Sequence, residues 1–230
     1  MAQESKLFHL TFIQTTLYCM QKQRITQTDD CMNTEKTPAL VLPSGGYRKL
    51  KSFQLSQLIY DITVPFTELY ISSQSRSRDQ MVQAARSGVQ NIAEGSIDAA
   101  TSVRMELNLY NVARASLEEL RLDYQDYLRQ HNSPEWGKDS PLYQEFVARR
   151  IADRAGFKAF IRWAESSATN VKTYPETPYK SILVANATLL LIASAVYFLR
   201  RQIEEKSKKF IEEGGFSERM HQIRREKRKI

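Results

Sequence analysis

The chain has 230 residues, enough for one domain with extensions and for a sizeable core. Only 8 glycines and 7 prolines are present, which argues against an all-β or glycine-loop enzyme and for long helices. Its 33 Lys and Arg against 26 Asp and Glu leave a net charge of +7, which permits a nucleic-acid or acidic partner without requiring one.

Residues 1–45 read as a mobile arm. "QKQRITQTDDCMNTEKT" has no sustained period, and "LPSGG" (Leu42 to Gly46) punctuates its end. Both cysteines, Cys19 and Cys31, fall here, so neither a disulfide framework nor a metal spacing is expected. A reducing, cytoplasmic setting is the simplest expectation.

The first helical period runs from about Leu50 to Ser72. Leu55, Ile59, Ile62, Phe66 and Leu69 recur every three or four residues, and Pro65 predicts a kink or break. A second helix is expected from about Asp79 to Glu94. Its inner face, Met81, Ala84 or Ala85, Gly88 and Ile92, is small where large residues are usual. Gly88 therefore reads as a close helix contact, and Gly95 as the residue that ends the helix. Thr101 or Ser102 would cap the third helix, about 102–130. Tyr110, Ala113, Leu117, Leu120, Tyr124 and Tyr127 give it a nearly heptad stripe.

"HNSPEWGKDSP" ends that helix. One or two shorter helices follow over 142–172, with Phe157, Phe160 or Ile161, Ala164, Ala168 and Val171 on one face. The last long helix, about 181–211, contains "ILVANATLLLIASAVYFL" (Ile182 to Leu199), which has no charge over eighteen residues. Such a run suits a membrane span or a fully buried helix. Asn186, Thr188 and Ser194, and the polar turns that follow, favour burial. Gly214 and Gly215 stop it, and residues 213–230 form a basic tail.

These elements predict an all-α, antiparallel up-down-up-down four-helix bundle over 46–212, with a helical insertion (131–180) before the fourth helix. Catalytic patterns are missing. His9, His131 and His221 are scattered, and there is no Gly-x-Ser-x-Gly elbow or phosphate-binding glycine loop. No cofactor, metal or enzymatic activity is expected. Glu94 and Glu106 could meet across the turn between helices two and three. A structural hydrogen-bonding role is then expected, with Asn91, Arg86 and Arg114 as candidate partners of a buried carboxylate. Asn91 and Glu94 read as polar locks facing inward or toward the turn. Candidate phosphate contacts are Arg76, Arg78 and Arg86, and the terminal run Arg224, Arg225, Lys227, Arg228 and Lys229.

"QMVQAARSGVQNIAEGS" (Gln80 to Ser96) and "VARASLEELRLDYQDYL" (Val112 to Leu128) resemble the bacterial four-helix-bundle proteins encoded in intervening sequences of 23S ribosomal RNA genes. The family's "NIAEG" signature stands as Asn91, Ile92, Ala93, Glu94 and Gly95. Its basic-alanine stretch is matched by Gln83, Ala84, Ala85 and Arg86, and its "ARASLEEL" stretch by Ala113 to Leu120. The resemblance covers about Leu50 to Leu128. It departs where about fifty residues intervene before the fourth helix, as in a longer subgroup. It implies a soluble antiparallel bundle that assembles as a homopentamer, with no enzymatic activity established. Accessory proteins of diversity-generating retroelements, similar in fold, bind a reverse transcriptase and nucleic acid through basic surface. A non-catalytic oligomer that binds RNA or a nucleoprotein is thus the leading expectation. A scaffold for a protein partner, with Phe157, Phe160 and Trp163 as an exposed apolar face, is the alternative.

Overall fold

A computed structural model describes residues 45–167 and 179–228. Seven α-helices occur among them: α1 (Lys51–Tyr70), α2 (Arg76–Asp98), α3 (Val103–Gln130), α4 (Pro141–Arg149), α5 (Arg154–Ser167), α6 (Tyr179–Glu213) and α7 (Phe216–Lys227). The long helices α1, α2, α3 and α6 pack side by side in that order, and α6 returns to close on α1. Short turns join the first three, so consecutive helices run antiparallel. The expected all-α four-helix bundle with an insertion is the observed architecture. The predicted arm up to residue 44, including Cys19, Cys31 and His9, lies outside the described residues, as do Ala168 and Val171.

The stripe on α3 accounts for the middle of the core. Tyr110, Ala113, Leu117, Leu120, Tyr124 and Tyr127 are all buried, against Ile59, Phe66, Met81, Ile92, Leu183, Ile192 and Leu199 among others. Ser102 is the residue that caps α3, its Oγ accepting from the Met105 amide at 3.2 Å. The second helix starts earlier than its apolar pattern indicates, because Ser75 caps it by accepting from the Ser77 amide.

Pro65 neither breaks α1 nor ends it. It removes the amide that would bond the Asp61 carbonyl, but Asp61 lies on the exposed face, where water can serve that oxygen. Leu69, placed by its spacing on the apolar face, is 71% exposed in the last turn.

The uncharged run of α6 is long and apolar enough to cross a membrane by length and composition. In this fold its buried residues, Leu183, Ala185, Ala187, Leu191, Ile192, Ala195 and Leu199, complete the bundle core. Its polar residues are bonded. Thr188 and Ser194 donate to the carbonyls of Val184 (2.7 Å) and Leu190 (2.9 Å). Asn186 accepts from the Trp136 amide at 2.7 Å and donates to the Ile182 carbonyl at 3.2 Å, which ties the loop after α3 to α6.

The insertion corrects one expectation. Phe157 and Phe160 are buried rather than displayed, and Trp163 is half-buried. Phe160 sits edge-on to Phe146 at 5.0 Å and to Trp136 at 6.0 Å, and the Arg149 guanidinium covers Trp163 at 4.6 Å. Helix α5 packs on α6 and α1, so its apolar face extends the core. An amphipathic pattern reports that a face is covered; it does not report by what.

Candidate functional site

Two regions bear on function: a polar cluster at one end of the bundle, and the basic surface.

The cluster forms where α2 ends, α3 begins and α6 passes. Glu106 is only 1% exposed. Its Oε1 accepts from the Tyr110 hydroxyl at 2.9 Å and from Lys206 Nζ at 2.8 Å. These are the partners of the buried carboxylate, in place of Asn91, Arg86 and Arg114. Lys206 lies a hundred residues away in sequence, and only the fold brings it here. Burial, and then the neighbouring Glu106 carboxylate, hold the Tyr110 phenol well above the usual phenol range, while Gln202 and Ser96 act the other way. Ser52 donates to Gln202 Oε1 at 2.8 Å, and Gln202 Nε2 is buried without an acceptor. Glu106, Tyr110, Gln202, Lys206, Ser96 and Gly45 help line an open-sided cavity of about 330 Å³. Gly45 is clipped to the end of α2 by its amide on the Ser96 carbonyl (3.0 Å) and by Ser96 Oγ on its own carbonyl (3.1 Å).

The structure overturns three assignments here. Gly95 does not end α2, which runs on to Asp98. It is buried, and a β-carbon there would lie 2.9 Å from Tyr110 Cε1 and 3.2 Å from the Glu106 carbonyl oxygen. It is a close-approach glycine at the point where α2 crosses α3. Glu94 is exposed and does not meet Glu106. Asn91 is half-buried and donates to the Ser87 carbonyl of its own helix at 2.9 Å, so it locks no second helix. Gly88 is buried against Leu117, whose Cδ2 would be 2.9 Å from an added β-carbon.

A second carboxylate stands out on α3. Asp123 Oδ2 is buried without a hydrogen-bond partner. Desolvation first, then the like charges of Glu119 and Asp126, push its pKa up to about 6. Sequence spacing shows the three acids but not that an oxygen of Asp123 is buried.

The basic residues divide into two sets. Arg76 and Arg86 are exposed and Arg78 is half-buried on α2; at 100° per residue they also span an arc of about 160°, but spread over roughly three turns of the helix. Arg224, Arg225 and Lys227 are exposed in the last turns of α7, a formed helix, and the exposed Arg228 caps its end with helical backbone angles. At 100° per residue they cover an arc of about 160°, with Glu226 outside it, where Gln222 bonds it at 3.2 Å. Lys229 lies outside the described residues. Helix α7 is set off by Gly214, which takes a left-handed φ of 70°, and by Glu218, whose carboxylate accepts from the Gly215 amide at 2.9 Å.

Among the described residues, no group of three His, Cys, Asp or Glu side chains could hold a metal ion. No family model matches the chain, and neither a curated protein nor a solved structure matches it. The fold itself defines a compact all-helical domain with four core helices packed together.

Proposed function

We propose that this is a non-catalytic, homo-oligomeric helical-bundle protein that binds RNA or a nucleoprotein partner through basic surface. One observation carries the reading: four cations converge on one arc of α7, exposed and with no acid among them on that arc. A helix of 12 residues and its C-cap, Arg228, present them at fixed spacing to a run of phosphates. The net charge of +7 agrees in sign. The resemblance adds a ring of five copies, which would repeat the basic arc around the assembly and strengthen weak individual contacts.

The test is fluorescence anisotropy with a labelled single-stranded RNA across a salt series. Each phosphate contact contributes roughly 0.7 to the log–log salt slope, so reversing Arg224, Arg225 and Arg228 to Glu lowers it by about 2. Binding that survives this reversal removes α7 from the reading. Absence of RNA binding even at low salt removes the reading itself. In that case a scaffold for a protein partner takes its place, detectable as co-purification that nuclease treatment leaves intact.

A further inference from the structure

The face of α3 that points away from the core has its own pattern. Met105, Asn108, Val112, Ala115, Glu119 and Leu122 recur at three- and four-residue steps, directly opposite the buried stripe. Met105 is 48%, Val112 49% and Leu122 58% exposed, although each is apolar. This is the spacing of a helix-pairing seam, carried on a helix whose other side is already used.

The seam is its own complement when read backwards. Turned end over end about a point between residues 113 and 114, Met105 falls opposite Leu122, Asn108 opposite Glu119, and Val112 opposite Ala115. The large apolar residues meet at the ends and a Val–Ala layer closes the middle, which lets two helices approach. Charge follows the same symmetry. The exposed cation at the start of α3 is Arg104; near its end Asp126 is paired with Arg129 at 2.9 Å, and Glu119 and Asp123 are the acids beside the stripe. Antiparallel pairing sets each Arg104 level with the other helix's acidic end. Parallel pairing would stack acids on acids. Asp123 is the acid level with that Arg104, ten residues on either side of the same midpoint.

We propose that the outer stripe of α3 is a two-fold interface, occupied by the same stripe of a second copy of this chain. The contact is isologous, whereas a closed ring of five needs a heterologous one. It is therefore a different contact from a ring interface, and it stands whether or not the protein binds RNA. The stripe is about 27 Å long, short for an obligate dimer, so pairing is concentration-dependent.

The test uses the full chain with Cys19→Ser and Cys31→Ser. One preparation carries Met105→Cys and another Leu122→Cys, and a short bis-maleimide is added at tens of micromolar protein. A covalent pair is expected in the mixture and in neither preparation alone, because only the antiparallel register brings 105 to 122. Val112→Glu abolishes the cross-link and raises the dissociation constant roughly tenfold or more by burying an unpaired charge, with far-UV helicity unchanged. Cross-linking within each preparation alone would mean parallel pairing and overturn the assignment. So would a single-chain mass at all concentrations. Five copies by native mass spectrometry without the 105–122 link, or thiols at 105 shielded without it, would place another occupant on the stripe and also overturn it.

Discussion

The two ends of the four-helix core are built from different chemistry. Where α1 ends and α6 begins, the interior is aromatic. Phe66 packs against Tyr124 at 4.9 Å, Tyr127 at 5.0 Å and Tyr70 at 5.3 Å. A buried polar link there joins α1 to α3: Thr63 donates to the Ile59 carbonyl and accepts from the Tyr124 hydroxyl at 3.0 Å. At the opposite end the interior is ionic, with Glu106 held by Lys206 and Tyr110. The aromatic end gains from area removed from water, a non-directional effect. The ionic end gains little net energy from burying charge, but loses heavily if one partner goes. It therefore constrains which part of α6 lies beside α3.

The comparison breaks most sharply at Phe66. Phe66→Ala is expected to cost about 3–5 kcal/mol, because the surrounding rings cannot all collapse into the space. Urea denaturation followed by circular dichroism would show it as a lower midpoint with an unchanged slope. A loss below about 1 kcal/mol would mean that this end is loosely packed.

At the ionic end, Lys206→Met strands a carboxylate. Lys206 is itself 41% exposed at the side chain, so water relieves part of the penalty and the loss is expected at about 1–3 kcal/mol. Adding Glu106→Gln should restore much of it. The four proteins form a double-mutant cycle, and additivity would show that the pair is not coupled.

The smallest contrast is between the two glycines of α2. Gly95 faces a ring and a backbone oxygen; Gly88 faces the branched end of the Leu117 side chain, with no backbone atom nearer than 3.9 Å. Gly95→Ala is expected to lose about 1–3 kcal/mol from overpacking. Gly88→Ala should be close to neutral, because roughly 1 kcal/mol of helix propensity offsets the adjustment of Leu117. Equal effects on thermal midpoint would erase the distinction.

What sequence reading captured follows from range. The α3 stripe, the Ser102 cap, the late fourth helix and its glycine stop are local patterns, legible from a few consecutive turns. Gly95 was misread as a helix end because glycine serves both helix termination and close helix crossing. Only the ring of Tyr110, on another helix, decides between them. Glu94 and Glu106 are near in sequence, yet their side chains leave their helices in different directions. Lys206 could not be picked out among 33 cations. The aromatic face of the insertion was visible, but its covering surface on α6 and α1 was not. The charged end of the chain read as a tail because nothing apolar in it demanded burial.

Helix α6 also sets an order of events. Helices α1 to α3 are neighbours in sequence and can pair as they emerge during synthesis, at little loop-closure cost. The fourth wall of the core is then still missing, and Ile59, Leu120 and Tyr124 border an open groove. It is filled only when the uncharged run ending at Leu199 has been translated, after the whole insertion. A nascent chain with only its first three helices paired would expose that apolar trough, a surface prone to aggregation.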